Sequence, residues 1–330
     1  MRKTKNLLCE HFQRGFFCLF SINLYKWGVS LRTAAIGIGS NSLRMLLAEV
    51  ENGSMERLGR YREGLRVFAA LDENRCIVPE MVKQASESID TFAKEALAQG
   101  AEIIHLFATS AVRDASNADE FAKAIFDKTG LTLQICSGNE EAELSFMGAT
   151  NGVPSGMIDI GGGSTEIVVG DRNGVHEGMS FQMGAVRLFR MLPIKDRDAA
   201  KQVIEYARSL LAPHKDKYLA YPAQEWIGVG GTFTTTAAFT QRKFWDDRTN
   251  IHGFVLNLRD ITEAIDMLAP MPVPQRKLLP FLQPHRADII VHGLCILAAC
   301  MQVLQLERIT VSEYGNLEGF VKKQYLNNKN

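Results

Sequence analysis

From residue 34 onward, short apolar runs alternate with amphipathic stretches. Residues 36–48 read as an apolar strand, a turn of small residues and a second apolar strand, closed by Asn52-Gly53, the signature of a β-hairpin. A helix is predicted from Pro79 to Gln99, a buried strand from Ile103 to Ala108, a helix from Asn117 to Lys128 and a strand from Leu131 to Cys136. A further helix opens near residues 137–140, with Ser137 or Asn139 as its N-cap. Residues 158–170 then repeat the hairpin pattern, closed by Asn173-Gly174. After it come a strand near Gly178 to Gln182, a helix from Asp196 to Leu211 and a strand from Trp226 to Val229. The turn Gly230-Gly231-Thr232 opens another helix. A long helix from Arg286 to Gln305, a strand from Arg308 to Val311 and a terminal helix complete the chain. Strands alternating with helices predict an α/β fold with mostly buried sheets.

The two hairpins follow one template. Residues 36–48 align with 158–170 without a gap, and Gly37 pairs with Asp159 at an offset of 159 − 37 = 122. Two α/β halves, each opened by a glycine-containing hairpin, predict a cleft between two related domains.

Composition narrows the field. In 330 residues, 46% are apolar and 22% charged, as in a soluble globular protein of two ordinary domains. Lys and Arg (37) balance Asp and Glu (37), so no global field draws in a polyanion and nucleic acid is not an expected partner. The six cysteines form no C-x-x-C pair and have no histidine cluster, which predicts free thiols in a reducing, cytoplasmic setting. Residues 1–32 stand apart, with Arg2, Lys3 and Lys5 followed by Phe16-Phe17-Cys18-Leu19-Phe20. The apolar part is too short to span a membrane and lacks a clear cleavage site. The segment is expected to lie outside the fold, as the product of an upstream start codon, with a membrane-surface segment as the alternative.

The turns carry the candidate chemistry. An anion held by main chain needs N–H groups pointing one way and no Cβ in their path. Gly161-Gly162-Gly163 supplies that, with the Ser164 hydroxyl beside it; Gly39-Ser40-Asn41-Ser42 and Gly230-Gly231-Thr232 repeat the arrangement. Simple tight turns are the plainer reading. Asp159 and Glu166 flank the triple glycine, and carboxylates beside a phosphate cradle repel it unless a divalent cation lies between, so Mg²⁺ is inferred. A turn aspartate and a surface glutamate are the alternative. In Gly138-Asn139-Glu140-Glu141, adjacent helical positions point about 100° apart, so only one of Glu140 and Glu141 can face a cleft and direct a water at phosphorus. Both could equally be dipole complements in a first turn. Arg113, after Thr109-Ser110, is a candidate phosphate contact or an arginine on a solvated helix start.

Seven stretches together resemble the exopolyphosphatase / guanosine pentaphosphate phosphohydrolase (Ppx/GppA) family: residues 34–50, 108–121, 137–149, 158–170, 183–188, 228–238 and 286–293, in the family's order. The resemblance implies two ribonuclease-H-like (actin/hexokinase-like ATPase) domains around a cleft, here residues 33–153 and 154–330. It implies Mg²⁺-dependent removal of terminal phosphate from polyphosphate, or hydrolysis of guanosine pentaphosphate to tetraphosphate, and a homodimer. By resemblance the catalytic glutamate is Glu141. Metal and phosphate positions fall on Asp159 and Glu166, on turns 39–42 and 161–164, on Arg113 and on Gly230-Gly231-Thr232. Two positions depart from the family pattern: Gly37 stands where an aspartate is usual and Leu317 where an arginine is usual. The family's longer members carry helical C-terminal domains beyond the point where this sequence stops, which favours short polyphosphates or a nucleotide. Hydrolysis is the leading expectation. A catalytically weak sensor of polyphosphate or guanosine tetra-/pentaphosphate is the second, motivated by Gly37 and Leu317, and a sugar-kinase-like phosphotransferase the third.

Overall fold

A computed structural model describes residues 30–326. The reading of the N-terminal segment as an extension falls on residues 1–29 and so lies outside the described residues, but the first strand, β1 (Leu31–Ile38), already starts inside the 1–32 segment. Leu31 and Arg32 join the ladder opposite Val50 and Glu49, which sets the fold's edge two residues earlier than expected.

Two mixed sheets form the frame. The first runs β3-β2-β1-β4-β5, from β2 (Leu43–Glu51), β3 (Ser54–Glu63), β4 (Ile103–Ala108) and β5 (Leu133–Ile135). The second runs β10-β11-β9-β6-β7-β8, from β6 (Ser155–Ile160), β7 (Thr165–Asp171), β8 (Gly174–Phe181), β9 (Glu225–Val229), β10 (Val255–Asn257) and β11 (Arg308–Ser312). In each, three antiparallel strands are followed by two parallel ones reached through helices. Both copies carry a bulge between their second and third strands, at Leu47/Ala48 and at Val169/Gly170, the same offset as the sequence repeat. The strand β3 was not anticipated. Its sequence, SMERLGRYRE, alternates exposed and half-buried positions with charges on both faces, which blunts a sheet edge.

Helices cover the sheets. In the first half, α1 (Pro79–Ala98) and α2 (Ala118–Thr129) bury Ile89, Phe121 and Ile125 against β1 and β4. In the second half, α4 (Ala185–Met191), α5 (Arg197–Leu211), α6 (Gly231–Thr240), α7 (Leu258–Leu268) and α8 (Ile290–Val303) share a core. The helix α8 is apolar all round and buried on every side except at Gln302, which is why it sits at the centre of its layer. It begins at Ile290, later than the expected Arg286. Residues 284–286 form a separate 3₁₀ turn opened by Pro284, which presents His285 and Arg286 toward the cleft instead of continuing the helix.

Two helices cross between the halves. The helix α3 (Gly138–Ala149) packs on β7 and β8 of the second sheet, whereas α9 (Asn316–Tyr325), late in the chain, packs on β1 and β2 of the first. Each therefore lies on the sheet of the opposite half from the 153/154 division of the sequence. Where α3 and α9 meet, a Cβ at Gly319 would land on the Leu144 carbonyl and one at Gly148 on the Gly315 carbonyl. Lys322 Nζ donates to the carbonyls of Met147 (2.8 Å) and Gly148 (3.3 Å), satisfying the end of α3. Gly319→Val should therefore destabilise the protein by about 2 kcal/mol through overpacking. Urea unfolding reads this directly, and an unchanged midpoint would show that the crossing is loosely packed.

Candidate active site

The hairpin turns are built alike. Gly39 N–H donates to the Ser42 carbonyl at 3.0 Å, and Gly161 N–H donates to the Ser164 carbonyl at 3.0 Å, 122 residues on. The turns face each other at close range. A Cβ at Gly162 would stand 2.8 Å from Ser40 Cβ, and one at Gly163 would stand 2.6 Å from Ser110 Oγ, itself bonded to Ser40 Oγ at 2.8 Å. Only glycine permits this approach. Across the contact, Arg187 Nε donates to the Gly163 carbonyl (2.6 Å) and its other nitrogen pairs with Asp114. Arg190 donates to the Phe68 carbonyl (3.0 Å). The third turn lies alongside: Gly230, at φ +100°, opens α6 where a Cβ would stand 3.0 Å from Asp159 Oδ1.

Beside these turns lies a cavity of about 560 Å³. Among the expected site residues, Gly39, Ser40, Asn41, Ser42, Gly161, Gly162, Gly230 and Gly231 line it, with Glu141 and Asp159. Gly163, Ser164, Thr232, Arg113 and Glu166 stand behind this lining. The choice between Glu140 and Glu141 is made by helix capping. Ser137 is the N-cap of α3, and Glu140 closes the capping box by accepting from Ser137 N–H at 2.8 Å. Glu141, one position on, turns into the cavity and is 6% exposed. Arg113, expected at phosphate, instead donates to Glu141 Oε2 (3.0 Å) and to the Cys136 carbonyl (3.1 Å), which fixes the carboxylate's orientation. Asp159 Oδ2 accepts from Ser145 Oγ of α3 at 2.7 Å, and Glu166 Oε1 accepts from Ser180 Oγ at 2.6 Å.

Burial pushes the carboxyls of Glu141, Asp159 and Glu166 above their ordinary values. For Glu141 the Asp159 charge adds to burial, partly offset by Arg113; for Glu166 both Glu141 and Asp159 add to it. Among the described residues, Glu166 Oε2 and Ser164 Oγ are buried without a hydrogen-bond partner.

The same cavity is also lined by a group that the sequence reading did not single out: Arg44, Arg60, Arg62, Arg248 and Arg286. Arg44 stands across the ladder from both Gly37 and Arg62. A Cβ at Gly231 would fall on the Arg286 guanidinium, so the third turn's glycine makes room for that side chain. Burial, then the charges of Arg62, Arg44 and Arg248, bring Arg286 down to about 9. Burial, then Arg44 and Arg248, bring Arg62 to about 10. The only sequence hint of this group was the period-two spacing of Arg60 and Arg62; Arg248 and Arg286 arrive from distant parts of the chain.

The two departures noted in the sequence are neighbours in space. A Cβ at Gly37 would stand 2.9 Å from Phe107 Cζ and 3.3 Å from Leu317 Cδ2. Phe107 stacks on Phe320 with centroids 4.6 Å apart. An apolar plug thus fills the place that Asp159 occupies in the second copy.

With this geometry in view, the comparisons with known proteins agree on one assignment. The Ppx/GppA phosphatase family model matches residues 46–328. The chain belongs to that family. It is 31% identical over 309 residues to Exopolyphosphatase 2 of Mycobacterium tuberculosis, covering 87% of this chain and 97% of that protein. It is 28% identical to the guanosine-5'-triphosphate,3'-diphosphate pyrophosphatase of Pseudoalteromonas atlantica, covering 87% of this chain and 57% of that one. A crystal structure of an exopolyphosphatase-like protein superposes with a TM-score of 0.81 at 26% identity, covering 89% of this chain and 97% of that one. The fold is the actin-like α/β fold of Ppx/GppA proteins.

A raised folded-state pKa means that the native protein binds the proton more tightly than the unfolded chain does. Stability from Glu166 is therefore full at acid pH and is lost as pH climbs through the raised value. Glu166→Gln should raise the thermal midpoint at pH 8 by a few degrees, and by less at pH 5, in scanning calorimetry without added cation. A variant less stable than the parent at pH 8 would contradict the assignment of a repelled, buried charge.

Proposed function

We propose that this protein hydrolyses a phosphoanhydride, releasing terminal phosphate from a short polyphosphate or from guanosine pentaphosphate. The reading rests on one observation: Glu141 opens into the same cavity as all three glycine turns and a group of arginines. The names of the relatives support the same chemistry.

In this reading the terminal phosphoryl group is cradled by main-chain N–H groups of residues 39–42, 161–162 and 230–231. Arg44, Arg62 and Arg286 take the phosphates that follow. Glu141, oriented by Arg113, accepts a proton from a water as that water attacks phosphorus in line; the P–O bond to the leaving phosphate breaks and the charge passes to its oxygen. Thr109 and Ser110 line the floor beside Glu141. Among the described residues no three acidic, histidine or cysteine side chains converge as a ready-made metal cage. Mg²⁺ needs no such cage, since it is commonly held by one or two carboxylates together with substrate phosphate. The donor set fits: Asp159 lines the cavity, and Glu166 Oε2 is a buried acceptor without a partner among the described residues. Asp159 and Glu166 would hold the ion, which when bound offsets the phosphate charge that these carboxylates would otherwise repel.

The plug of Phe107 and Leu317 at Gly37 favours a second reading, a sensor that binds the same anion and turns it over slowly. Calorimetry run beside a phosphate-release assay separates the two: tight binding with no release over hours selects the sensor. For the hydrolase, Glu141→Gln should lower phosphate release from tripolyphosphate by ~10²–10⁴-fold while leaving its affinity nearly unchanged. Unaltered turnover would remove Glu141 from the catalytic step. In the parent enzyme, kcat/KM should rise with pH through a value above the usual glutamate range, because the base must first lose its proton. A profile flat from pH 5 to 8 would contradict that role.

A further inference from the structure

Glycine gives the second turn its close approach to the first, but it also leaves each peptide plane free to rotate. Three glycines in a row cannot by themselves keep N–H groups aimed one way, so the hold must come from outside the turn. It comes from the start of α4. Ala185 N–H donates to the Gly161 carbonyl at 3.0 Å, and the N–H groups of Val186 and Arg187 donate to the Gly162 carbonyl at 2.9 and 3.0 Å. The Gly163 carbonyl is taken by a side chain, Arg187 Nε, at 2.6 Å. A Cβ at Gly184 would stand 2.3 Å from the Gly162 oxygen, so this approach too depends on a glycine.

In a trans peptide the carbonyl and the following N–H point in opposite directions. The held carbonyls therefore turn the N–H groups of Gly162, Gly163 and Ser164 away from α4, and none of the three meets an acceptor among the described residues. We propose that Arg187 is a positioning residue of the anion cradle: its side chain locks the 163–164 peptide and ties the second turn to the first half of the molecule, so that the turn's free N–H groups are set before an anion arrives. This rests on the proposed cradling of phosphate by the glycine turns and adds what keeps one of them in shape.

The guanidinium is placed to do both. While Nε holds the Gly163 carbonyl, Nη2 pairs with Asp114 and donates to Gln182 Oε1 at 2.7 Å, and the group lies 4.8 Å over the Phe68 ring. Asp114 and Phe68 belong to the first half. Phe68 N–H donates to the Ser40 carbonyl (3.0 Å) and Arg66 N–H to the Asn41 carbonyl (3.2 Å), so residues 66–68 back the first turn as 185–187 back the second. Arg187 touches both backings. Asp114 also lies 3.8 Å from Arg113 Nε, and Arg113 is the residue that orients Glu141. A lysine has one donor centre and cannot serve Gly163 and Asp114 together as the planar fork does.

Arg190 supplies the comparison. It joins the same two elements, donating to the carbonyls of Phe68 (3.0 Å) and Leu71 (3.3 Å), but it touches no carbonyl of either turn. If these arginines served only to fasten the halves together, losing either would have the same consequence for binding.

The test is calorimetric binding of imidotriphosphate, with Mg²⁺, to the whole protein. Arg187→Met should weaken binding roughly tenfold or more, the scale of one hydrogen bond to a charged group, while Arg190→Met should stay within about threefold of the parent. Arg187→Lys should recover only part of the loss. Amide spectra locate the effect. Only Gly162, Gly163 and Gly231 follow another glycine, so protein labelled with carbonyl-¹³C, ¹⁵N-glycine gives three carbonyl-linked glycine amides. In the parent, the probe should shift Gly162 in the second turn and Gly231 in the third. In Arg187→Met at saturation, the Gly162 shift should shrink while that of Gly231 persists, a split that general loosening of the fold would not produce. Should Arg187→Met not fold, Arg187→Lys is read in the same way. Parent-like Gly162 shifts, or equal weakening by Arg187→Met and Arg190→Met, overturn the positioning role. A parent in which no glycine amide responds overturns the cradle and this role with it. Absent phosphate release from tripolyphosphate, with Gly162 still responding, overturns the hydrolase reading alone.

Discussion

Like charges gathered where water is scarce are the constraint that organises this molecule. Around the cavity three carboxyls are buried and pushed toward neutrality, and guanidinium groups crowd until two of them fall well below an ordinary arginine. Each cluster of like charge is relieved by a partner of the opposite charge. In the proposed function a phosphate chain would relieve the arginines and a cation the acids. The glycine turns line the same cavity, where main-chain N–H groups can meet an anion without a side chain intervening.

Duplication explains how one chain builds both clusters. The two hairpins share turn geometry, bulge position and strand order, yet equivalent positions carry opposite chemistry. Gly37 pairs with Arg44 in one ladder where Asp159 pairs with Glu166 in the other. The first hairpin thus carries an arginine where the second carries a carboxylate. The apolar plug at Gly37 belongs to the same divergence, since Phe107 and Leu317 occupy the space of the missing carboxylate. Crossing helices hold the two halves in register: α3 carries Glu141 and Ser145 from one half onto the other, and α9 is locked to it through Gly148, Gly319 and Lys322.

Much of this was legible in the sequence because it is local or repeated. The hairpins, the strand from Ile103 to Ala108 and the helix from Pro79 each announce themselves by period and punctuation. The turn glycines could be named because their spacing is short, whereas the residues left Glu140 and Glu141 open and only the family resemblance singled out Glu141. What escaped was assembled over distance. Arg44, Arg62, Arg248 and Arg286 come from four separate segments, and charged residues on an edge strand such as β3 look like solvated surface until the fold brings β11 and α9 beside them. Arg113 was placed at phosphate by its neighbours Thr109 and Ser110, whereas its guanidinium turns the other way to meet Glu141. The start of α8 was misjudged because the apolar run after Arg286 continues the helical period, while Pro284 separates that turn from it.

The most direct test of the two-cluster account is the proton balance of binding. Imidotriphosphate is titrated with and without Mg²⁺, near pH 7, in buffers of differing ionisation heat. If the acidic cluster is held protonated by burial and the proposed cation settles against it, binding with Mg²⁺ should release protons beyond those shed by the ligand, and Glu166→Gln should reduce that excess. Proton-neutral binding that is equally tight without the cation would show that the buried acids take no part, and would contradict the account.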